Sequence, residues 1–137
     1  MSLKSFFKIG SLAISLMFIV FIGGCSKNKY SKLEGIWNKV NVVDSSGIVR
    51  EQWSFSSDRK LVISIRNNAN EFAPYDNGTY EITAKIDKTE MLLSGFFNNV
   101  HYNGTWQVMD LSKETLFMVM PGDGGRGLKT IEFTKLQ

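Results

Sequence analysis

From Leu33 onward, apolar and polar residues alternate with a period of two, the spacing of a strand with one buried face. The clearest stretch is 79–86, where Tyr80, Ile82, Ala84 and Ile86 share a face and Thr79, Glu81, Thr83 and Lys85 occupy the other. Val49, Glu51, Trp53 and Phe55 alternate with Arg50, Gln52, Ser54 and Ser56, and Ile131 and Phe133 oppose Glu132 and Thr134. The pattern predicts strands at about 35–43, 49–56, 60–66, 78–86, 90–96, 100–109, 115–120 and 128–136. Eight short strands with hairpin-length connections favour an all-β, antiparallel up-and-down barrel, because closure removes the edges that pair between molecules. An open β-sandwich is the alternative arrangement. The triplets Asn77-Gly78-Thr79 and Asn103-Gly104-Thr105 recur ahead of an aromatic residue, and each is expected to start a strand through a turn or bulge.

Residues 1–32 follow a different pattern. Lys4 and Lys8 precede an uncharged apolar run from Ile9 to Gly24, too short to cross a bilayer comfortably as a helix. A basic start, a short apolar body and small residues form the layout of a secretory signal peptide. Ile22-Gly23-Gly24-Cys25 resembles the bacterial lipobox, which implies cleavage after Gly24 and thioether attachment of diacylglycerol to Cys25. Cys25 is the only cysteine, so no disulfide supports the domain. The expected division is a lipoprotein signal peptide at 1–24, the lipidated cysteine with a solvated tether at 25–32, and the barrel at 33–137. Ser26 at the second mature position suggests outer-membrane delivery facing the periplasm.

Charge changes little in this picture. The formal net charge of +3 includes Lys4 and Lys8; without them 14 basic residues face 13 acidic ones. Nucleic-acid binding, which needs a clustered basic surface, is not expected. The expected partners are a membrane, through lipid on Cys25, and either a small apolar ligand or an envelope protein.

Leu33-Glu34-Gly35-Ile36-Trp37, Trp53-Ser54-Phe55, Gly78-Thr79-Tyr80 and Thr130-Ile131-Glu132-Phe133, in that order and spacing, resemble the lipocalin-like domain lipoproteins of the Bacteroidota. The likeness covers nearly all of 33–137. It implies a lipocalin-like barrel in which Gly35 allows close packing and Trp37 plugs the closed end. The last strand offers Lys129 and Lys135, rather than an arginine, to pack over Trp37, and the Thr-Asp-x-x-Tyr motif of the kernel lipocalins is missing.

Catalytic chemistry finds little support. His101 is the single histidine and is expected in solvent, and no metal or cofactor site is expected. Gly122-x-Gly124-x-x-Gly127 matches the dinucleotide fingerprint, but the residues after it read as a strand where that motif needs a helix. The expected activity is binding, at the barrel end that gathers the longer loops. Glu51 on an inward face, Phe72 and Tyr75 in a long connection at 67–77, and Arg126 in the glycine-rich connection at 121–127 form the candidate surface. Trp37, Trp53, Phe55, Tyr80, Trp106 and Phe133 point inward on this reading, and so many rings favour a filled interior over a ligand cavity.

Replacing the one thiol tests the N-terminal assignment. Cys25→Ser is expected to abolish incorporation of labelled fatty acid and to leave an unprocessed or soluble product; equal labelling of both forms would contradict it.

Overall fold

The computed structural model describes residues 26–40, 48–122 and 127–137. The expected signal peptide at 1–24, the expected lipidation site Cys25, and Arg126 therefore lie outside the described residues. Eight strands close into an antiparallel barrel in chain order: β1 (Gly35–Lys39), β2 (Glu51–Phe55), β3 (Lys60–Arg66), β4 (Phe72–Ala84), β5 (Thr89–Ser94), β6 (Gly104–Leu111), β7 (Thr115–Met120) and β8 (Lys129–Lys135). The seam is the β1–β8 pairing, with Trp37 opposite Lys135 and Lys39 opposite Phe133. The six aromatic residues expected to face inward do so: Trp37, Trp53, Phe55, Tyr80, Trp106 and Phe133 are all buried, and Leu61, Ile63, Met91, Leu93, Leu116 and Met118 fill the space between them.

Helix α1 (residues 26–33) lies across one end. These residues were expected to be a solvated tether, but they fold as a helix whose apolar side chains find partners on the barrel. Leu33 is fully buried, and its carbonyl accepts the indole N–H of Trp37 at 2.6 Å. The Tyr30 hydroxyl accepts the backbone N–H of Ile82 at 2.8 Å, and Lys29 Nζ donates to Thr89 Oγ1 at 2.7 Å. Lys135 bridges the seam: its ammonium lies 5.1 Å from the centre of the Trp37 ring and donates to the Lys32 carbonyl at 2.7 Å. Lysine thus takes the place over Trp37 for which an arginine was sought. Gly35, with φ of +126°, leaves room for that side chain, since a Cβ there would stand 2.9 Å from Lys135 Cε.

Three expectations change in the upper half of the barrel. The expected 67–77 loop is mostly strand: β4 begins at Phe72, and a tight turn at 67–71 precedes it, with Asn67 Oδ1 accepting from Ala69 and Glu71. The register slips between Ile63 and Ser64, which face Asp76 and Pro74, so Tyr75 is an extra residue bulged out of β4. Proline is tolerated there because a bulge does not need its missing N–H. Asn77-Gly78 therefore lies inside a strand instead of starting one; Gly78 is required because a Cβ would sit 2.5 Å from the Ser94 carbonyl oxygen and 2.9 Å from the Phe96 ring. Finally, Val100–Tyr102 form a short 3₁₀ turn within a connection at 95–103, where strand had been expected. At the other end β4 stops at Ala84, so Ile86, expected inside, is fully exposed in the 85–88 turn.

Trp53→Ala and Trp37→Ala each remove a fully buried indole and are expected to cost about 3–5 kcal/mol. Gly78→Ala is expected to lower the denaturant midpoint as well, through a backbone collision. Chemical denaturation of the three variants is the measurement.

Candidate functional site

Among the described residues, the connections at 67–71 and 95–103 lie at the end opposite α1, where β1 and β7 end and β2 and β8 begin. Side chains from below and a loop from above close this mouth. Lys39, Trp37 and Gly35 share the inner face of β1, as Glu51, Trp53 and Phe55 share that of β2, so the alternation that buries two indoles also carries an ammonium and a carboxylate to the rim. There Lys39 Nζ stands 3.1 Å from Glu51 Oε2. Glu51 Oε1 accepts the Trp53 indole N–H at 2.6 Å and the Tyr102 hydroxyl at 3.0 Å. Lys39 also donates to the Tyr102 hydroxyl at 2.6 Å, with its ammonium 5.2 Å from the centre of that ring. Glu51 thus gathers three donors, two of them from groups that also pack in the core, and charge-assisted bonds of this kind are the strong ones.

Tyr102 descends into the barrel from the 3₁₀ turn. Its ring meets Trp53 edge-on at 4.9 Å, and its carbonyl accepts the Trp106 indole N–H at 2.8 Å. Phe96, from the same connection, lies 6.4 Å from Trp53, and Phe133 reaches the same indole at 4.8 Å. Burial raises the Tyr102 pKa, and the adjacent Glu51 charge raises it further. Tyr80, at the opposite end beneath α1, is pushed up to about 12, chiefly by burial.

Asp76 holds the connection in place. Asp76 shares the inward phase of Gly78, Tyr80 and Ile82 just after the bulge, and its carboxylate is only 6% exposed. It accepts backbone N–H groups from Asn77 at 2.9 Å, Phe97 at 3.2 Å, Asn98 at 2.9 Å and Asn99 at 2.7 Å. Asn103 clasps the loop at its base, donating to the Phe96 carbonyl and accepting the Phe96 N–H. Burial opposes ionisation of Asp76, but the four N–H donors outweigh it and hold the carboxyl below the usual range.

Of the residues expected to form one open-end surface, the three described ones, Glu51, Phe72 and Tyr75, have different surroundings. Glu51 is inside, in the network just described. Phe72 lies on β4 beneath the Arg66 guanidinium, 5.0 Å from its ring centre, and Tyr75 is half-exposed on the bulge. Beside it, Asn98 Nδ2 donates to the Tyr75 carbonyl, and the neighbouring Phe97 is 90% exposed. A shallow groove of about 630 Å³ runs along the outer wall there, lined in part by Val62, Pro74, Tyr75 and Thr79. Asp76, Phe96 and Tyr102 escaped sequence reasoning because the connection that unites them looked like strand. The four asparagines between positions 98 and 103 and at 77, residues that favour turns, were the available signal.

No family model matches the chain, and no curated protein matches it. Among solved structures, the chain is similar to a lipocalin-like protein from Bacteroides uniformis at 16% identity, over 77% of this chain and 99% of that one, with a TM-score of 0.49. The described residues form the closed eight-stranded antiparallel meander expected from the sequence, with a helix across one end and Gly35-Ile36-Trp37 opening the first strand beneath it.

Two titrations follow. Asp76 has a lowered pKa, so the stability it contributes is present above its ordinary value of 3.8 and is lost as pH falls below it through the folded-state value. Asp76→Asn is expected to flatten that acid limb of the stability curve, and Asp76→Ala to cost about 1–3 kcal/mol through orphaned N–H groups. Tyr80 and Tyr102 have raised values, so stability is expected to fall as pH rises past the unfolded value of 10.0. Phenolate absorbance should show Tyr80 and Tyr102 resisting ionisation until the barrel unfolds, and Tyr102→Phe should remove one of the two resistant groups.

Proposed function

We propose that this chain is a lipid-anchored lipoprotein of the cell envelope, held through Cys25 and facing the periplasm from the outer membrane, whose barrel is a filled scaffold for recognising a protein partner. One observation carries the reading: Tyr102 and Phe96 occupy the mouth above Trp53, and Asp76 and Glu51 lock them there. The volume that a small apolar ligand would take is occupied by the protein's own rings, and admitting a ligand would break a set of charge-assisted bonds. A binding role on this scaffold belongs to the outside of the open end. Tyr75 and Phe97 stand exposed on backbone that the same aspartate fixes. Aromatic side chains on rigid backbone are the usual anchors of protein recognition, because little entropy is lost when they are covered. This is a binding reading rather than an enzymatic one, consistent with a scaffold whose polar groups are spent on one another.

Native mass spectrometry of the protein released gently from membranes should show the polypeptide and its lipid with no further small molecule. Apolar probes should leave the Trp53 and Trp106 emission unchanged. A stoichiometric copurified ligand would overturn the filled-scaffold reading. A photo-crosslinker at Phe97 should give one discrete protein adduct in whole cells, lost in Tyr75→Ser, while the melting temperature of that variant stays near wild type.

A further inference from the structure

The 85–88 turn joins β4 to β5 at the α1 end, closed by the Lys85 N–H donating to the Lys88 carbonyl at 2.7 Å. Ile86 at its tip is fully exposed. Such tips usually carry Gly, Asn, Asp or Ser, which suit the backbone and prefer water; a β-branched apolar residue does neither. A single exposed apolar side chain is ordinary on any surface. Its position is what distinguishes this one. Lys29 of α1 is bonded to Thr89, the first residue of β5, directly after the turn. Cys25 precedes Lys29 by four residues, a span of at most about 14 Å even when fully extended.

We infer that the α1 end of the barrel is a membrane-seating surface, with Ile86 inserted at the boundary of headgroups and acyl chains of a phospholipid leaflet. The inference rests on the lipid anchor at Cys25 proposed above. The anchor supplies the first attachment, and because α1 is docked, it leaves too little free chain for the barrel to tumble far from the leaflet. Lys27, Lys29 and Lys32 on α1 exceed the one acid beside them, Glu34, while the three turns of the same end carry four basic residues and three acidic ones, so this end is net positive and suits anionic headgroups. Lys85 and Lys88 flank the tip and share Glu90 at 2.6 and 2.8 Å, which keeps the turn rigid while the isoleucine projects. Leu136, half-exposed just beyond β8, adds apolar surface at the same end. An amphipathic surface combined with acyl chains gives the two signals that firm membrane seating needs. Tyr75 and Phe97, at the opposite end, then face the aqueous compartment.

The test uses the full lipidated chain in vesicles of phosphatidylethanolamine and phosphatidylglycerol that contain lipid-borne quencher. Fluorophores are placed by I86C and A69C, one at each end, since the thioether on Cys25 leaves no competing thiol. The expected result is flotation with the vesicles and quenching several-fold stronger at position 86 than at 69. Flotation with equal quenching, or stronger quenching at 69, overturns the seating surface and leaves the anchor standing. Failure to float overturns the anchor and the surface together. In a second arm the probe is placed by K113C, on another turn of the same end, and Ile86→Asp is added. Quenching at 113 should fall several-fold with the melting temperature unchanged; unaltered quenching would show that Ile86 does not seat the barrel.

Discussion

Trp53 is where the two halves of this protein's physics meet. Its ring is fully buried and touches Phe55, Phe96, Tyr102 and Phe133, so aromatic groups from β2, β8 and the 95–103 connection converge on one indole. Its N–H cannot stay unsatisfied in that setting, and Glu51 accepts it at 2.6 Å. Glu51 in turn needs a counter-charge, which Lys39 supplies from the neighbouring strand. The apolar core and the polar mouth are therefore one structure: the indole demands a carboxylate, and the carboxylate demands a lysine and a phenol. Loss of any member leaves another polar group without its partner in a confined space.

The same arrangement explains why the barrel is closed by a loop instead of being left open. An eight-stranded barrel has an interior only wide enough for side chains or one small molecule. Here the loop's own Phe96 and Tyr102 supply the last layer of that interior. Tethering a loop this way costs conformational entropy, and Asp76 offsets it by giving three consecutive N–H groups of the loop a single charged acceptor. The closed end is tied differently, by a helix whose contacts are spread across β1, β4, β5 and β8.

Most of the barrel was legible because alternation of period two is imposed by burial itself. All eight strands and all six expected inward aromatics follow from it, although β4 starts earlier and β6 later than expected, since a strand with the wrong phase would bury its charges. The connection at 95–103 was not legible. Val100, Tyr102 and Gly104 alternate with His101 and Asn103 as a strand would, yet the backbone turns, because Tyr102 gains more from filling the mouth than from a place in the ladder. Phe72 and Tyr75 were expected in a loop, because Pro74 and Asn77-Gly78 look like turn residues when a bulge and a close backbone approach are not foreseen. Ile86 extended the alternation by one step too many; periodicity says which face a residue shares but not where the strand stops. Glu51 shares its strand face with Trp53 in the sequence pattern, but its partners came from a strand and a loop that no local pattern connects.

The extra residue at Tyr75 also determines how β4 tolerates change. Below it, Asp76, Gly78, Tyr80 and Ile82 keep a single inward phase; above it the strand is out of step with them. Substitutions in the upper segment can therefore accumulate without disturbing the lower one. A one-residue deletion there is another matter. Removing Tyr75 would restore a regular ladder at the cost of the exposed ring and of the carbonyl that Asn98 of the loop holds. The length of this strand, more than the identity of most of its residues, is what variation in this barrel cannot freely alter.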